Sequence, residues 1–247
     1  MRTRVGHVES LFRYPVKSMG REDLEAIELG WHGLAGDRRL ALRRLNDRRG
    51  FPWLQASSLR ELILFTPLRR GPSAHDLPTH VRTPDGEELE VFGAPLAEEI
   101  ERRYGAPVEM VHLDRGIFDE ASVSVITSTT VRAASDLGAQ RPDVRRYRPN
   151  ILIASSADTP FEEDSWVGGV LTFGPSDEGA SVFVTNRDER CSMVNLDPDT
   201  AAPAPQLLKA IVQERDNKAG VYGAVARRGR ISVGDPVYVE RATGASR

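Results

Sequence analysis

Cysteine is scarce in this sequence, where Cys191 is the single cysteine among 247 residues. One thiol cannot form a disulfide within the chain, and cysteine-held zinc and iron–sulfur sites need several thiolates. The composition therefore excludes a disulfide scaffold and an iron–sulfur cluster held by this sequence. By itself, the lone cysteine is compatible with an ordinary small hydrophobic residue or with a special thiol.

The sequence also lacks a strong net charge and a long apolar run. Its formal net charge is −3, which argues against nucleic acid as the main partner, because such binding relies on neutralising phosphates. No stretch approaches the roughly 20 apolar residues of a membrane span. No apolar run follows residues 1–5, as it would in a secretory signal. We therefore expect a cytoplasmic protein without a membrane span.

Several familiar catalytic motifs are missing. There is no Gly-x-x-x-x-Gly-Lys-Ser/Thr, no Gly-x-Gly-x-x-Gly and no Gly-x-Ser-x-Gly, so nucleotide loops and a serine-hydrolase elbow have no support. The 5 histidines are scattered and form no His-Glu-x-x-His. A metal site built from histidines is not expected.

The 21 glycines and 16 prolines divide the chain into short segments. This pattern is typical of strands and turns. The predicted strands are 5–12, 39–44, 79–83, 88–92, 122–126, 151–154, 182–185 and 231–239. The last of them is broken at 234–236. The short apolar run 61–66 is also interpreted as a strand. The predicted helices are 97–104, 128–138 and 205–216, and 69–78 is predicted as a loop.

Many strands and few helices, without β-α-β alternation, indicate a mainly β fold. A barrel or sandwich with peripheral helices is favoured over a doubly wound parallel sheet. A boundary between two parts is expected near 107–116, between the helix at 97–104 and the strand at 122–126.

Two segments have residues suited to binding an anion. The helix predicted at 128–138 begins with hydroxyl residues that include Thr127 and Ser128. These residues either cap the helix or bind an anion together with its free N–H groups. Lys17 and Ser18 follow the first strand in a turn that either leaves the lysine in solvent or meets a phosphate.

Two arginines allow the same pair of interpretations. Arg38, in a Gly-Asp-Arg sequence, is by itself typical of a turn with a surface ion pair. Arg148 stands before Pro149 and Asn150 at the entrance to a strand, where it is either a solvated charge or binds a phosphate through two N–H groups. Such dispersed signals are what a cofactor with a phosphate tail would require.

Cys191 follows Arg190 and precedes an Asp-Pro-Asp-Thr turn that begins at Asp197. A flanking arginine favours the thiolate, which is the form of cysteine that ligates metals. A soft thiolate suits a metal that is held mainly by other sulfur ligands.

Six motifs in order along the chain resemble one family. They are YPVKS (14–18), GDR (36–38), RPN (148–150), FEEDSW (161–166), RC with LDPDT (190–191 and 196–200) and GxIxVGDPV (229–237). The set resembles the MOSC family, named after the C-terminal domain of molybdenum-cofactor sulfurase. It is most similar to members with an N-terminal β-barrel part, such as the mitochondrial amidoxime-reducing component and its bacterial relatives.

The resemblance implies a mainly β (α+β) fold, with an N-terminal MOSC β-barrel domain at 1–106 and a MOSC domain at 107–247. It implies a pyranopterin molybdenum cofactor with Cys191 as a direct metal ligand. It places Asp197 near the metal, where we assign it to a proton relay, and it gives the acids of 162–164 the task of fixing a loop. The residues implied to hold the cofactor are Lys17, Ser18, Arg38, Thr127, Ser128, Arg148 and Asn150.

The sequence departs from the family in two respects. Relatives often carry an arginine in the segment after the GDR strand, whereas 51–59 has none. The ferredoxin domain of some bacterial relatives is absent, as is the pyridoxal-phosphate domain of the sulfurase. We therefore expect electrons from a separate protein and no pyridoxal phosphate.

Three functional hypotheses follow. The leading one is a molybdenum-dependent oxidoreductase that reduces N-hydroxylated small molecules, such as hydroxylamines or amidoximes, with Cys191 and Asp197 as catalytic residues. The alternative is a carrier that delivers sulfur or the molybdenum cofactor through Cys191 without turnover of its own. A structural barrel with a buried, inert cysteine is the third, and it predicts no bound metal and an unreactive thiol.

Overall fold

The structure is a computed structural model that describes residues 2–47, 50–71 and 77–241. His75 and the centre of the loop predicted at 69–78 lie outside the described residues. The strands are β1 (Arg2–Arg13), β2 (Glu22–Leu24), β3 (Ala26–Gly30), β4 (Gly33–Leu34), β5 (Leu40–Arg44), β6 (Thr66–Leu68), β7 (His80–Arg82), β8 (Glu88–Glu90), β9 (Val108–His112), β10 (Val123–Thr127), β11 (Ile151–Ser155), β12 (Gly169–Phe173), β13 (Ser181–Glu189), β14 (Lys218–Arg227), β15 (Gly229–Ser232) and β16 (Pro236–Arg241). The helices are α1 (Ala94–Tyr104), α2 (Ser128–Leu137) and α3 (Gln206–Arg215), and the 3-10 turns are Arg60–Leu64, Val144–Arg146, Glu162–Trp166 and Ser192–Asn195.

Seven strands close into a barrel, which confirms the predicted mainly β fold. Their order is β11-β10-β14-β13-β12-β16-β1, and β1 pairs back onto β11. Closure leaves these strands without a free edge. Apolar side chains such as Val8, Val125, Leu171 and Val221 fill the interior.

The seam between β1 and β11 depends on a glycine. A Cβ atom added to Gly6 would lie 2.1 Å from the carbonyl oxygen of Ala154. The two backbones approach so closely that only a residue without a side chain fits at this position. The register of the β1–β11 pairing also shifts between Val8 and Ser10.

One β-α-β unit is present, although the sequence pattern indicated no such alternation. Strands β10 and β11 are parallel neighbours, and α2 connects them. Parallel neighbours need a crossover of this kind. Helices α2 and α3 pack together over a separate apolar cluster that includes Val131, Leu207 and Ile211.

A second apolar core lies beside the barrel. It is built mainly from residues 16–108 and joins the β5–β9 pair, the β6–β7–β8 sheet and α1. Leu196, from the segment after Cys191, also packs into it. Because β1 is a barrel strand, the first residues of the chain share a core with its second half. The division of the chain at 106 and 107 stays a prediction.

Two predicted segments differ in the structure. The apolar run 61–66 is mostly a 3-10 turn, Arg60–Leu64. Three residues per turn place the buried side chains of Leu62 and Phe65 on one side, which explains the difference. The predicted strand 231–239 is divided at its break, so that β15 pairs with β3 while β16 pairs with β1 and β12. No helix in the described part of the chain is long and apolar enough to cross a membrane.

Candidate functional site

A cavity of about 170 Å³ opens where the end of β1 meets the segment after β13. Its wall brings together five residues that the sequence singled out: Lys17, Ser18, Arg38, Arg148 and Cys191. These five residues bring one thiol and three cationic side chains together from four distant segments, and Arg146 and Arg190 also line the cavity. We call it the cysteine cavity.

Hydrogen bonds between two loops position the first of these residues. The backbone N–H of Tyr14 donates to Oδ1 of the buried Asp37 at 2.8 Å. The backbone N–H of Arg38 donates in turn to the carbonyl of Tyr14 at 2.7 Å. These bonds hold the turn that carries Lys17 and Ser18 against the turn that carries Arg38.

Three wall residues have left-handed backbone conformations, with φ values of 67° for Ser18, 48° for Arg38 and 51° for Arg148. Residues other than glycine adopt this region at a cost and cluster at ligand-binding sites. Their shared conformation is independent support for a binding role of this wall.

Lys17 is buried and makes one ion pair. Its Nζ lies 2.7 Å from Oδ1 of Asp119, whose side chain is 62% exposed. Burial lowers the pKa of Lys17, and the charge and hydrogen bond of Asp119 oppose that shift. The lysine therefore gains from any anion that approaches it.

Arg38 pairs with the carboxylate of Asp37 and donates from Nη2 to the backbone carbonyl of Arg148 at 3.2 Å. Burial alone would lower the pKa of Arg38, but Asp37 raises it. Arg38 is therefore a neutralised, fixed part of the wall.

Arg148 differs because no carboxylate among the described residues pairs with it. Its Nη1 donates to the carbonyl of Met19 at 2.8 Å, and its guanidinium lies over the ring of Tyr14. Burial, reinforced by the nearby charge of Arg38, lowers the pKa of Arg148 to about 10. An anion in the cysteine cavity would supply the counterion that the chain does not.

Asn150 is buried behind this wall and is absent from the cavity lining. Its Oδ1 accepts from the backbone N–H of Ser124 at 3.1 Å and from Nη1 of Arg38 at 3.4 Å. Its Nδ2 donates to the carbonyl of Phe12 at 3.4 Å. Asn150 thus positions Arg38 and ties β1 to β10.

Cys191 is exposed and precedes the 3-10 turn Ser192–Asn195. The neighbouring Arg190 is buried, donates to the carbonyl of Tyr147 at 2.7 Å and pairs with Asp188. Asp188 therefore neutralises the arginine that flanks the thiol.

Asp197 lies in the turn after Cys191 and does not line the cysteine cavity. Its Oδ1 accepts from the backbone N–H groups of Asp199 and Thr200, and its Oδ2 accepts from Nη2 of Arg146 at 3.1 Å. Burial alone would raise the pKa of Asp197, but these hydrogen bonds lower it. Its position gives the predicted proton relay no support.

Thr127 and Ser128 also lie outside the cavity lining. The start of α2 is already filled by the buried carboxylate of Glu163, which accepts from the N–H of Thr127 at 3.3 Å and from the hydroxyls of Thr127 and Thr130. The predicted anion site is therefore occupied by a carboxyl group of the chain itself. This geometry also ties the segment around Glu163 to the helix.

Several wall residues had no role in the sequence interpretation. Asp188 could have been found from its place two residues before Arg190 in a strand, whereas Asp119 and Tyr222 belong to segments without a motif. Gln55 and Ser57 line the cavity in the segment where relatives often carry an arginine.

The donor set fits a cofactor that combines an anionic group with a soft metal. Cys191 offers a thiolate, and Lys17 and Arg148 offer positive charge. No group of three or more histidine, cysteine, aspartate or glutamate side chains in the described residues could hold a metal ion.

The fold and the site place this protein in the class of closed β-barrel domains, with an exposed thiol at the edge of a cationic cavity. A family model described as MOSC domain matches residues 108–238. The match covers more than half of the chain, and the chain belongs to the MOSC domain family.

One solved structure extends the likeness of fold beyond the family model, and two others align less well. The YUAD protein from Bacillus subtilis is similar over 98% of this chain and 99% of its own, with 14% identity and a TM-score of 0.54. YiiM from Escherichia coli aligns over 99% of this chain and 72% of its own, at 10% identity and a TM-score of 0.43. YiiM from Geobacillus stearothermophilus aligns over 51% of this chain and 57% of its own, at 23% identity and a TM-score of 0.39. No curated protein matches the sequence.

Proposed function

We propose that this protein binds a pyranopterin molybdenum cofactor in the cysteine cavity and reduces N-hydroxylated small molecules. The observation that carries the proposal is the shared wall: the exposed thiol of Cys191 lies in one cavity with Lys17, Arg38 and Arg148. Family membership supports a function related to the molybdenum cofactor.

Each wall residue would have a distinct task. Cys191 would donate its thiolate to the metal, while Lys17, Ser18 and Arg148 would bind the anionic part of the cofactor. Arg38 and Asn150 would hold that wall in place, because both are fixed by hydrogen bonds to the backbone. When bound, the cofactor supplies oxygen-atom removal at the metal.

The proposed reaction needs an external electron donor. Reduction of an N–OH group to N–H consumes two electrons and two protons and releases water. The electrons come from a separate redox protein, since a single cysteine cannot hold an iron–sulfur cluster. The cysteine cavity is open at Cys191, which allows the substrate to approach the metal from solvent.

A carrier function is the second candidate, because an exposed thiol is also what sulfur delivery requires. In that case Cys191 would hold a persulfide, or the cofactor, for transfer to another enzyme. Mass spectrometry of the purified protein separates the two candidates, since a sulfur adduct on Cys191 without reductase activity favours the carrier.

The test is expression in a host that makes the cofactor, followed by analysis of metal and pterin and an assay with benzamidoxime. We expect molybdenum and pterin in the wild type and loss of molybdenum-dependent reduction in Cys191→Ala. Arg132→Gln is the matched control, because Arg132 is an exposed arginine on α2 that does not line the cysteine cavity. A Cys191→Ala protein with full molybdenum-dependent activity would refute the proposal.

A further inference from the structure

The proposed function leaves one tyrosine of the cysteine cavity without a role. Tyr222 lies on β14, and its register partner on the neighbouring strand β10 is Ser124. Val125 and Val221, one position away in these strands, fill the barrel interior. Because side chains alternate along a strand, Ser124 and Tyr222 point outward, where both line the cysteine cavity. The outer face of the barrel thus forms this part of the wall.

The hydroxyl of Tyr222 has no hydrogen-bond partner among the described residues. The Tyr222 side chain is partly exposed, and its hydroxyl is not enclosed by the protein, in contrast to the buried, unpartnered hydroxyl of Tyr14. A hydroxyl that is neither bonded nor enclosed faces open space, and for this wall residue that space is the cysteine cavity. The phenol can therefore donate to a ligand there.

The neighbouring hydroxyls in this wall are already engaged. Oγ of Ser124 donates to Oδ2 of the buried Asp188 at 2.9 Å. Tyr147 is the second tyrosine of the wall, and its hydroxyl lies 3.1 Å from Oγ of Ser135 on α2. Of the two wall tyrosines, Tyr222 is the one whose hydroxyl is left for a ligand.

The charges around Tyr222 suit a group that gives up a proton and takes it back. Burial raises the pKa of Tyr222, the charges of Arg190 and Arg38 oppose that shift, and those of Asp119 and Cys191 add to it. The phenol therefore keeps its proton at neutral pH. The two arginines favour the phenolate, so that loss of the proton costs less than burial alone would impose.

The proposed reduction consumes two protons, and the other groups considered for this task are engaged. Asp197 lies outside the cavity lining and accepts hydrogen bonds from its own turn. Lys17 is held 2.7 Å from the carboxylate of Asp119, and the proposed function assigns it to the anionic part of the cofactor. Tyrosine is among the side chains that serve as general acids, which leaves Tyr222 for this role.

We propose that Tyr222 is the proton donor of the reduction, because its unpartnered hydroxyl faces the same small cavity as the thiol of Cys191. As the N–O bond of the substrate breaks, the nitrogen takes the proton of Tyr222 and, with two electrons from the separate redox protein, forms N–H. The oxygen keeps its own hydrogen, takes a second proton from solvent and leaves as water. The phenolate regains its proton from solvent. Resting on the proposed function, this assignment adds a catalytic residue to it.

Tyr222→Phe is the first test, because it removes the hydroxyl and keeps the ring. Wild type and variant are purified from a host that makes the cofactor, and molybdenum content, pterin content and melting temperature are measured before any assay. We expect all three to be unchanged, since the hydroxyl bonds to no other part of the described chain. Tyr238→Phe is the matched control, because Tyr238 lies on β16 and does not line the cysteine cavity.

Reduction of benzamidoxime is measured next. We expect kcat of Tyr222→Phe to fall about 100-fold with little change in KM, since a positioned proton donor typically contributes about 10²–10⁴-fold. Tyr238→Phe should keep the kcat of the wild type.

The pH dependence separates a proton donor from a hydroxyl that only packs. Replacing Tyr222 by 3-fluorotyrosine keeps the hydroxyl but makes the phenol more acidic, because fluorine withdraws electron density. We expect kcat of this protein to begin to fall at a lower pH than in the wild type, since the donor loses its proton earlier. The same replacement of Tyr238 should leave the pH profile unchanged.

The outcomes distinguish this proposal from the proposed function. An active wild type together with full kcat in Tyr222→Phe overturns the proton donor and leaves the reductase standing. Loss of molybdenum or pterin from a folded Tyr222→Phe also overturns it, because the hydroxyl would then hold the cofactor. If Tyr222→Phe fails to fold, the fluorinated protein decides, and an unshifted pH profile overturns the proposal. A cofactor-loaded wild type that reduces no N-hydroxylated compound overturns the reductase and its proton donor together.

Discussion

The ammonium group of Lys17 lies 2.7 Å from a carboxylate oxygen of Asp119, a residue 102 positions away in the chain. The lysine is buried and the aspartate is exposed, so the pair spans the boundary between the cysteine cavity and solvent. An anion that binds in the cavity must compete with Asp119 for this lysine.

Removing that competitor should strengthen anion binding. We expect Asp119→Asn to raise the affinity for inorganic phosphate roughly 1.4- to 5-fold, since an ion pair with an exposed partner is worth about 0.2–1 kcal/mol. Calorimetric titration with phosphate measures the change. Asp158→Asn is the control, because this exposed residue lies far from the cavity lining. An unchanged or weaker phosphate affinity in Asp119→Asn would contradict the competition.

The buried pair of Asp37 and Arg38 should matter for stability. Asp37→Asn leaves Arg38 without its carboxylate, and loss of one partner of a buried pair costs about 3 kcal/mol. Urea unfolding followed by circular dichroism measures the loss. The matched variant is Asp23→Asn, which removes a more exposed pair with Arg21 and should cost less than about 1 kcal/mol. Equal effects of the two variants would count against a structural role for Asp37.

Glu163 should make the stability of the protein depend on pH. Burial raises the pKa of Glu163 in the folded state above that of the unfolded chain. Between those two values the folded state binds more protons than the unfolded state, so its contribution to stability falls as the pH rises.

Glu163→Gln should therefore make the free energy of unfolding depend less steeply on pH. The amide keeps an acceptor for the N–H of Thr127, and the variant should gain stability relative to the wild type as the pH rises from acid to neutral. Free energies of unfolding at several pH values test this expectation. Glu162→Gln is the control. A Glu163→Gln variant whose free energy of unfolding depends on pH as in the wild type would show that the carboxyl of Glu163 titrates normally.

The thiol of Cys191 should report occupancy of the cysteine cavity. It is exposed and is the single thiol of the sequence, so a thiol reagent should label the cofactor-free protein at one site without denaturant. Bound metal should block that labelling, because a ligated thiolate is unavailable for alkylation. Mass spectrometry gives the labelled fraction. Equal labelling rates with and without the cofactor would show that Cys191 does not ligate the metal.

The sequence led to much of the cysteine cavity because its residues lie in short motifs. Lys17 and Ser18 follow a strand, Arg148 precedes another, and Cys191 comes two residues after the end of a third, so each could be recognised locally. Their meeting in one wall depends on barrel closure, which joins β1 to strands more than a hundred residues away. No local pattern contains that information.

Three other predicted positions lie outside the cavity lining, and their contacts come from distant segments. Thr127 and Ser128 begin a helix, and a free helix start does attract anions. Here Glu163 reaches that start from another segment and occupies it. Asp197 follows the cysteine closely in sequence, yet its oxygens are consumed by its own turn and by Arg146. Both outcomes depend on contacts between segments that the sequence does not reveal.

The position of β1 between β11 and β16 has a consequence for how the protein folds. The loops that must close before β1 has both neighbours include most of the chain, since β16 ends at Arg241. Closing long loops is costly in entropy, and folds rich in such contacts form slowly. Among the described residues, the first strand therefore gains both of its barrel neighbours only when the last strand is in place.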